Sequence, residues 1–332
     1  MTDQPLHAAV PARVCVIIVN WNAGAWLVRC VESLQVQTLQ PVQVLLVDNA
    51  STDDSLAQLL AKCSAWAPLR ILQAGRNVGF AAGNNLALAE CDSACDYVAL
   101  LNPDAFAAPD WLERLVEAAH QHPEAAAWGS RQLCDHDPSV LDGTGDCYHL
   151  SGTAWRARHG QRQEPRDLRA REIFAPCAAA ALYRRSVLQQ LGGFDEHYFC
   201  YMEDVDLGFR LRLLGHSARY VPQAVVRHVG SATSGGQRSA FALFYGHRNM
   251  VWTFVKNMPL PLLLLLLPLH VMANLAVIFL YVLRGQPGPV LRAKAHALRG
   301  LPYVWRQRAS VQRLTTMGRV WRALDKNWWP RP

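Results

Sequence analysis

VCVIIVNWNAGAWLVRCVESLQVQTLQPVQVLLVDNAS, Val14–Ser51, decides the fold. Val14–Val19 is an apolar run rich in β-branched residues that stops at Asn20-Trp21-Asn22. Val42–Val47 is a second such run and stops at Asp48-Asn49-Ala50-Ser51, while Ala25–Gln37 between them reads as a helix. A third run, Val98–Leu101, ends in Asn102-Pro103-Asp104, with helical stretches at Ala81–Ala89 before it and Trp111–His120 after it. Buried strands alternating with helices predict an α/β domain around a mostly parallel sheet flanked by helices. Ligands of such sheets bind beyond the carboxyl ends of the strands. All three runs end in polar residues, so those ends are expected to converge on one crevice.

Farther along, Gly129–Glu172 loses periodicity and predicts a long irregular excursion or a pair of edge strands, a kind of segment that often serves as a lid. Order resumes over Phe174–Leu191, then passes through Gly192-Gly193-Phe194-Asp195 into YFCYMEDVDLGFRLRLLG, Tyr198–Gly215. Leu207, Leu211 and Leu214 recur there at helical spacing and Gly215 stands where a helix ends. Glu203, Asp204 and Asp206 therefore crowd the mouth of a helix, where its free N–H groups and dipole favour carboxylates. Three exceed what capping needs. Asp204, at the loop-to-helix junction, is the candidate general base and Glu203 its neighbouring rival. Asp206 has Arg210 four residues on and reads as a structural ion pair. Short strand-like runs follow at Ala218–Val221 and Ala224–Val226.

With 332 residues, 51% apolar and 18% charged, the chain has the composition of a globular protein and not of a disordered one. The net charge of +7 is unevenly spread: from Met258 onward eleven Lys and Arg face one acid, Asp325. A basic tail beside an apolar run suggests an anionic membrane surface more than nucleic acid, because no nucleic-acid motif accompanies the charge. Nine cysteines, an odd number without repeating spacing, argue against a disulfide framework and for a reducing compartment. Cys91 and Cys95 lack a second Cys/His pair at ligand spacing and read as buried thiols. The N-terminal MTDQPLHAAVPAR has no basic or apolar region of a secretory signal.

Met258–Leu283 holds 26 residues without formal charge, long enough to span a bilayer as a helix. Pro259, Pro261 and Pro268 within it also allow a re-entrant hairpin or a helix pair lying in the interface. Basic residues flank both sides, so charge gives no orientation. Re-entrant or interfacial attachment is the first expectation, a single span the second, and an ordinary buried helix pair the third. Pro289–Arg313 mixes Leu, Val, Trp and Tyr with arginines like an interfacial amphipathic element.

Individual residues carry chemistry as well as turn-making. Asp48 at a strand end can accept hydrogen bonds from a nucleobase, or simply make the Asp-Asn-Ala-Ser turn. Asn77-Val78-Gly79-Phe80 and Gly83-Asn84-Asn85 put glycines and amides before a helix, where backbone N–H groups meet phosphates. Asp104, beside a proline-stiffened turn, is placed to hold Mg2+ or Mn2+ against a diphosphate, or to cap the next helix. His228 can add an imidazole ligand, which suits Mn2+ better than Mg2+. His247-Arg248-Asn249 offers a cation to a phosphate or none at all, and Trp21, Trp155 and Tyr201 offer rings to a sugar.

VIIVNWN, VLLVDNAS, NVGFAAGNN, LLNPDA, GGFDE, MEDVDLGFR and HVGS, in that order over residues 13–257, resemble the family 2 glycosyltransferases, especially rhamnosyltransferase-like members that build bacterial surface polysaccharides. The resemblance implies a GT-A fold, Rossmann-like, over residues 13–230. Before it lies a disordered tail over 1–12; after it come a connecting helix region over 231–257, an apolar membrane-associated segment over 258–284 and a basic amphipathic tail over 285–332. It further implies that Asp204 is the catalytic base, with Glu203 beside it, and that Asp48 binds the nucleotide base. Asn20, Asn22, Asn77, Gly79, Asn84 and Asn102 complete the nucleotide site. Asp104, as the last acid of a DxD motif, and His228 would hold the metal, while Trp155 and Tyr201 would meet the acceptor. The motif's first acid is Asn102 here, which brings an amide oxygen but no charge, so strict dependence on Mg2+ or Mn2+ does not follow. The implied enzyme is an inverting glycosyltransferase at the cytoplasmic face of the membrane, moving sugar from a nucleotide donor to a lipid-linked saccharide. Among donors dTDP-rhamnose comes first, with UDP-galactofuranose, other UDP-hexoses and GDP-mannose behind it. Two other classes remain open: a non-catalytic nucleotide-sugar or glycan-binding protein of the same fold, and a basic nucleic-acid-binding protein.

Overall fold

The computed structural model describes residues 12–230 and 239–327. Most of the tail expected over 1–12 and the first part of the expected connecting region, 231–238, lie outside the described residues, as do 328–332. The strands are β1 (Val14–Asn20), β2 (Gln43–Asp48), β3 (Leu69–Gln73), β4 (Tyr97–Leu101), β5 (Ala105–Ala107), β6 (Ala125–Cys134), β7 (Leu141–Gly143), β8 (Asp146–Tyr148), β9 (Ala154–Arg156), β10 (Arg171–Ile173), β11 (Ala180–Arg184) and β12 (Ser217–His228). The helices of the sheet-bearing body are α1 (Trp26–Gln35), α2 (Ser55–Cys63), α3 (Gly79–Ala89), α4 (Trp111–Gln121), α5 (Arg185–Gln190) and α6 (Glu203–Leu213).

One sheet runs in the order β10-β12-β6-β11-β4-β1-β2-β3, with β5 beside β12 and β7 beside β6; β8 and β9 form a separate pair. β3, β2, β1 and β4 are mutually parallel. β11 runs antiparallel between β4 and β6, which corrects the expected mostly parallel arrangement to a mixed sheet. Side-chain alternation on β1 builds both cores at once. Val14, Val16 and Ile18 pack with α1 and α4, whereas Cys15, Ile17 and Val19 pack under α3, α5 and α6. Burying each such aliphatic side chain contributes roughly 1.5–3 kcal/mol.

The excursion expected over 129–172 is more ordered than its composition suggests. β6 continues through it to Cys134 and is paired on both sides, by β11 and by β12. Its residues AAAWGSRQLC have weak strand propensity, and burial between two neighbours overrides that. β8 and β9 are the expected pair of strands. The two short runs at Ala218–Val221 and Ala224–Val226 are halves of one strand, β12, whose register shifts between Val221 and Val225 around Pro222. A proline is tolerated inside a sheet at such an irregularity.

The tail forms α7 (Ala240–Asn257), α8 (Leu260–Leu283), α9 (Pro287–Arg299), α10 (Leu301–Gln307) and α11 (Met317–Ala323). The leucine run is thus one helix, with no hairpin inside it. Pro259 and Pro261 sit at its start, where a missing N–H costs nothing, and Pro268 lies within it. α8 runs back along α7: the His270 ring stacks on Phe254 at 4.0 Å, and Tyr281 meets His247 at 5.7 Å. Leu262, Leu263, Leu266 and His270 are buried on that side. The other side is bare, with Leu265, Met272, Leu275, Phe279 and Leu283 all at least 60% exposed. α8 is long and apolar enough to cross a membrane, with a mean hydropathy of 2.4, and 22% of that stretch is buried against the folded body.

Candidate active site

Beyond the carboxyl ends of the strands the expected polar residues do collect, each in a different state of engagement. Asp48 is 4% exposed at the end of β2 and accepts a 3.1 Å hydrogen bond from Asn20 Nδ2 at the end of the adjacent β1. The Asn20 amide also donates to Ser51 and Ser55, so it orders the strand-end loop and aims Asp48. Asn22, at φ 54°, accepts from the backbone N–H groups of Thr52 and Asp53 and is committed to that loop.

The segment before α3 differs from the expected phosphate cradle. Asn77 Oδ1 accepts from Gly79 N–H at 2.9 Å, and Asn49 Oδ1 accepts from Val78 N–H at 2.8 Å. The N–H groups of Phe80 and Ala81, which open α3, both donate to the carbonyl of Phe199, at 2.7 and 3.2 Å. Gly79 has φ +85°, and a Cβ there would meet Phe199 O at 2.5 Å, so only glycine permits this approach. Asn84 turns inward and donates to Phe80 O within its own helix. The start of α3 is therefore locked to the loop that leads into α6.

At the carboxyl end of β4 the chain turns through Asn102 and Asp104 into β5. β5 pairs with β12 so that Ala105 stands opposite His228, a register that brings Asp104 and His228 together. His228 Nε2 faces Asp104 Oδ1 at 3.2 Å without the alignment of a hydrogen bond, and its Nδ1 lies 2.8 Å from Asp142 Oδ2. Burial alone would lower the imidazole pKa, but the two carboxylates outweigh it and raise it to about 9. Burial raises the Asp104 carboxyl and His228 counters it, leaving that pKa below the ordinary carboxylate range. Asn102 Oδ1 is buried without a partner. A carboxylate, an imidazole nitrogen and a spare amide oxygen together fit a divalent cation of the Mn2+ or Mg2+ type.

The acidic mouth of α6 carries the second set of carboxylates. Asp204 Oδ2 accepts from Ala178 N–H at 3.1 Å and Oδ1 from Val205 N–H at 2.8 Å. Burial nonetheless raises its pKa above the ordinary value. Glu203 is 5% exposed with one oxygen unpartnered, and burial together with the charge of Asp204 pushes its pKa well up. Asp206 is fully buried and accepts from Arg210, Lys256 and Asn257 at 2.8, 3.0 and 2.7 Å. Burial opposes ionisation there, but Lys256 and Arg210 hold the pKa at about 2. The expected structural pair of Asp206 with Arg210 is present. Such a buried network resists loss of one member, at about 3–5 kcal/mol, because a charge is then stranded.

Residues that the sequence had not singled out join the two ends. Asp142, on β7, takes an ion pair from Arg156 on β9 as well as the His228 contact. The Arg156 charge holds Asp142 well below the carboxylate range, against burial, and reaches Asp146 and Asp204 electrostatically. Asp146, Cys177 and Asp204 place a carboxylate oxygen, a sulfur and a carboxylate oxygen within 4.8 Å of one another. Burial first, and then the Asp204 charge, raise the Asp146 pKa well above its ordinary value. A continuous line of charge thus runs from Asp104 through His228, Asp142 and Arg156 to Asp204. The one hint in the sequence was Asp142-Gly-Thr-Gly-Asp146, acids spaced by glycines inside the excursion.

Of the two expected acceptor rings, Trp155 is on β9 next to Arg156 and 6.0 Å from the His149 ring. Tyr201 is in the loop entering α6, 6.2 Å from Phe241. That loop is strained: Phe199, Tyr201 and Met202 have φ of 64°, 67° and 70°. Asn249 Nδ2 on α7 donates to the carbonyls of Tyr198, Cys200 and Tyr201 at 2.9, 3.0 and 2.7 Å. Arg248 Nη2 donates to those of His197 and Tyr198, both at 2.9 Å. These two side chains, read in the sequence as a cation toward a phosphate, are spent on the loop.

The profile of a family described as "Glycosyl transferase family 2" matches residues 15–192. Among curated proteins, an "N-acetylglucosaminyl-diphospho-decaprenol L-rhamnosyltransferase" of Mycobacterium tuberculosis is 34% identical over 254 residues, 70% of this chain and 81% of its own length. An "O-antigen chain rhamnosyltransferase WbaN" of Salmonella anatum is 31% identical and covers 64% of each chain. Among solved structures, a mannosyltransferase from Pyrobaculum calidifontis in complex with GDP-Man and Mn2+ aligns with a TM-score of 0.55 at 17% identity, covering 95% of this chain and 88% of the other. GalNAc-T7 with UDP, GalNAc and Mn2+ aligns with a TM-score of 0.59 at 16% identity, over 74% of this chain and 48% of the other. Both likenesses are of fold.

Proposed function

Because this chain belongs to glycosyl transferase family 2 and is a glycosyltransferase, we propose that it moves rhamnose from dTDP-rhamnose to a lipid-linked saccharide, with inversion, in bacterial surface-polysaccharide synthesis. The observation that carries the reading is the line of charge from Asp104 and His228 through Asp142 and Arg156 to Asp204. It joins a site fit for a diphosphate's cation to a carboxylate fit to take a proton. Rhamnose and the lipid diphosphate acceptor are supported by the names of the rhamnosyltransferase relatives.

In the proposed reaction Asp204 accepts the proton of an acceptor hydroxyl as that oxygen forms its bond to the anomeric carbon. The bond from that carbon to the diphosphate breaks on the opposite face, and the nucleoside diphosphate leaves with the electron pair. Asp48, aimed by Asn20, accepts hydrogen bonds from the base of the donor. Asp104 and His228 would hold a bound Mg2+ or Mn2+, which supplies charge neutralisation at the departing diphosphate. Asn102 adds a neutral oxygen to that set.

For localisation we propose the cytoplasmic face of the membrane, supported by nine unpaired cysteines. Both faces of α8 bear on how the chain attaches. One lies along α7 and the other is apolar and bare, which favours a helix lying in the interface over one that spans.

The test is transfer from dTDP-rhamnose, UDP-galactofuranose, UDP-galactose and GDP-mannose to a lipid-diphosphate N-acetylglucosamine, with donor binding followed by calorimetry. Asp204→Asn is expected to lower kcat by roughly 10²–10⁴-fold, the usual worth of base catalysis, with donor binding retained. A wild-type protein that binds donor and transfers nothing would favour the non-catalytic glycan-binding alternative.

A further inference from the structure

His228 presents one imidazole nitrogen to Asp104 and the other to Asp142, and both carboxylates are buried. An imidazole that binds a cation through Nε2 needs its proton on Nδ1 and a partner there to keep it so. Asp142 Oδ2 stands 2.8 Å from Nδ1 and only 4% of Asp142 is exposed. Asp142 is itself fixed by the Arg156 guanidinium, which donates to the same Oδ2. Gly143 makes this possible, since a Cβ there would run into the Arg156 stem that crosses β7. His159 Nδ1 lies 2.8 Å from the Asp142 backbone carbonyl and 3.4 Å from Asp142 Oδ1, so it too bears on this carboxylate.

Building on the cation reading above, we propose that Asp142 is a positioning residue: it holds the His228 ring with its proton on Nδ1 and Nε2 turned to Asp104, so that a cation bound there displaces the Nε2 proton and not the Nδ1 one. The excursion between β6 and β10 then serves the diphosphate end of the site as a scaffold for one histidine ring, besides any covering role.

The experiment titrates the full chain with Mn2+, reading free Mn2+ by electron paramagnetic resonance, with folding checked by circular dichroism. The proteins are wild type, Asp142→Asn, His228→Ala and the double variant. Asp142→Asn is close to isosteric and is expected to weaken Mn2+ binding roughly 10–100-fold, the usual effect of removing such an outer partner. In the His228→Ala background the same change is expected to add nothing, because Asp142 acts through that ring. Full affinity in Asp142→Asn, or independent losses that multiply in the double variant, each overturn the proposal. A wild-type chain that binds no Mn2+ removes the cation reading and this inference with it, whereas loss in His228→Ala alone leaves the cation reading standing and only this inference fallen.

Discussion

Two carboxylates share the mouth of α6 and are held in opposite ways. Asp204 accepts two backbone N–H bonds, while one oxygen of Glu203 has no partner. A base must be ionised to act, and the Asp204 pKa is raised by burial. The acid limb of kcat/KM is therefore expected to lie above the ordinary aspartate value of about 3.9, with rate climbing as pH rises through it. A limb at or below that value would assign the proton elsewhere. Glu203→Gln should keep the limb and change stability. A carboxyl whose pKa is raised on folding binds its proton more tightly in the folded state, so its contribution is lost as pH rises above the unfolded value. Glu203→Gln is thus expected to gain thermal stability relative to wild type on going from pH 4 to pH 8, read as a rising difference in Tm. Asp204, Asp104 and Asp48 were legible because each stands at an element boundary that the hydrophobic pattern fixes. Asp142, Asp146 and Arg156 were not, since they lie on three-residue strands too short to show a period, and what joins them is pairing between segments distant in sequence.

Elements explain how the strained entrance to α6 persists. Three non-glycine residues with positive φ cost of order 1–3 kcal/mol each, and something must repay them. α7 does so through Asn249, whose amide bonds three carbonyl groups of the loop, those of Tyr198, Cys200 and Tyr201. Removing it leaves those groups unsatisfied, and a shift near 1 Å at a catalytic group costs on the order of 10²-fold in rate. Asn249→Ala is expected to lose about that much in kcat while donor affinity, measured by calorimetry, stays close to wild type. Loss of donor affinity with kcat intact would refute the clamp. The β-α-β alternation of the first half was legible from pattern alone, and so were α1, α3 and α4, whereas α2 and β3 were not read from the sequence. The antiparallel β11 was not, because AALYR carries no direction in its composition and the neighbours on both sides decide it. Nor was the unity of β12, since Pro222 reads as a strand end in sequence and is accommodated only by the register shift beside it.

At the scale of the molecule, the catalytic body, whose charges nearly balance, and the basic apolar tail form one folded unit. Lys294 Nζ on α9 donates to His247 O, Trp252 Nε1 on α7 donates to Ala297 O, and α8 lies beside both. This arrangement presents the bare side of α8 outward together with exposed Leu291, Leu298 and Trp305. Lipid attachment through that side is expected to weaken when Leu275 and Phe279 are changed to Glu, with flotation on vesicles containing anionic lipid as the measure. Transfer to a short water-soluble acceptor should survive the change; equal flotation of variant and wild type would exclude this face.

Asp325 pairs with the β8–β9 excursion, its N–H donating to Tyr148 O at 2.8 Å and its carbonyl accepting from Leu150 N–H at 3.1 Å. Synthesis is vectorial, so the excursion that carries Asp142, Asp146 and Arg156 waits for a residue translated after the whole of α8. A ribosome-bound chain with its apolar helix already exposed still lacks the last strut under its charged line. The catalyst is completed only once the long apolar helix has been made.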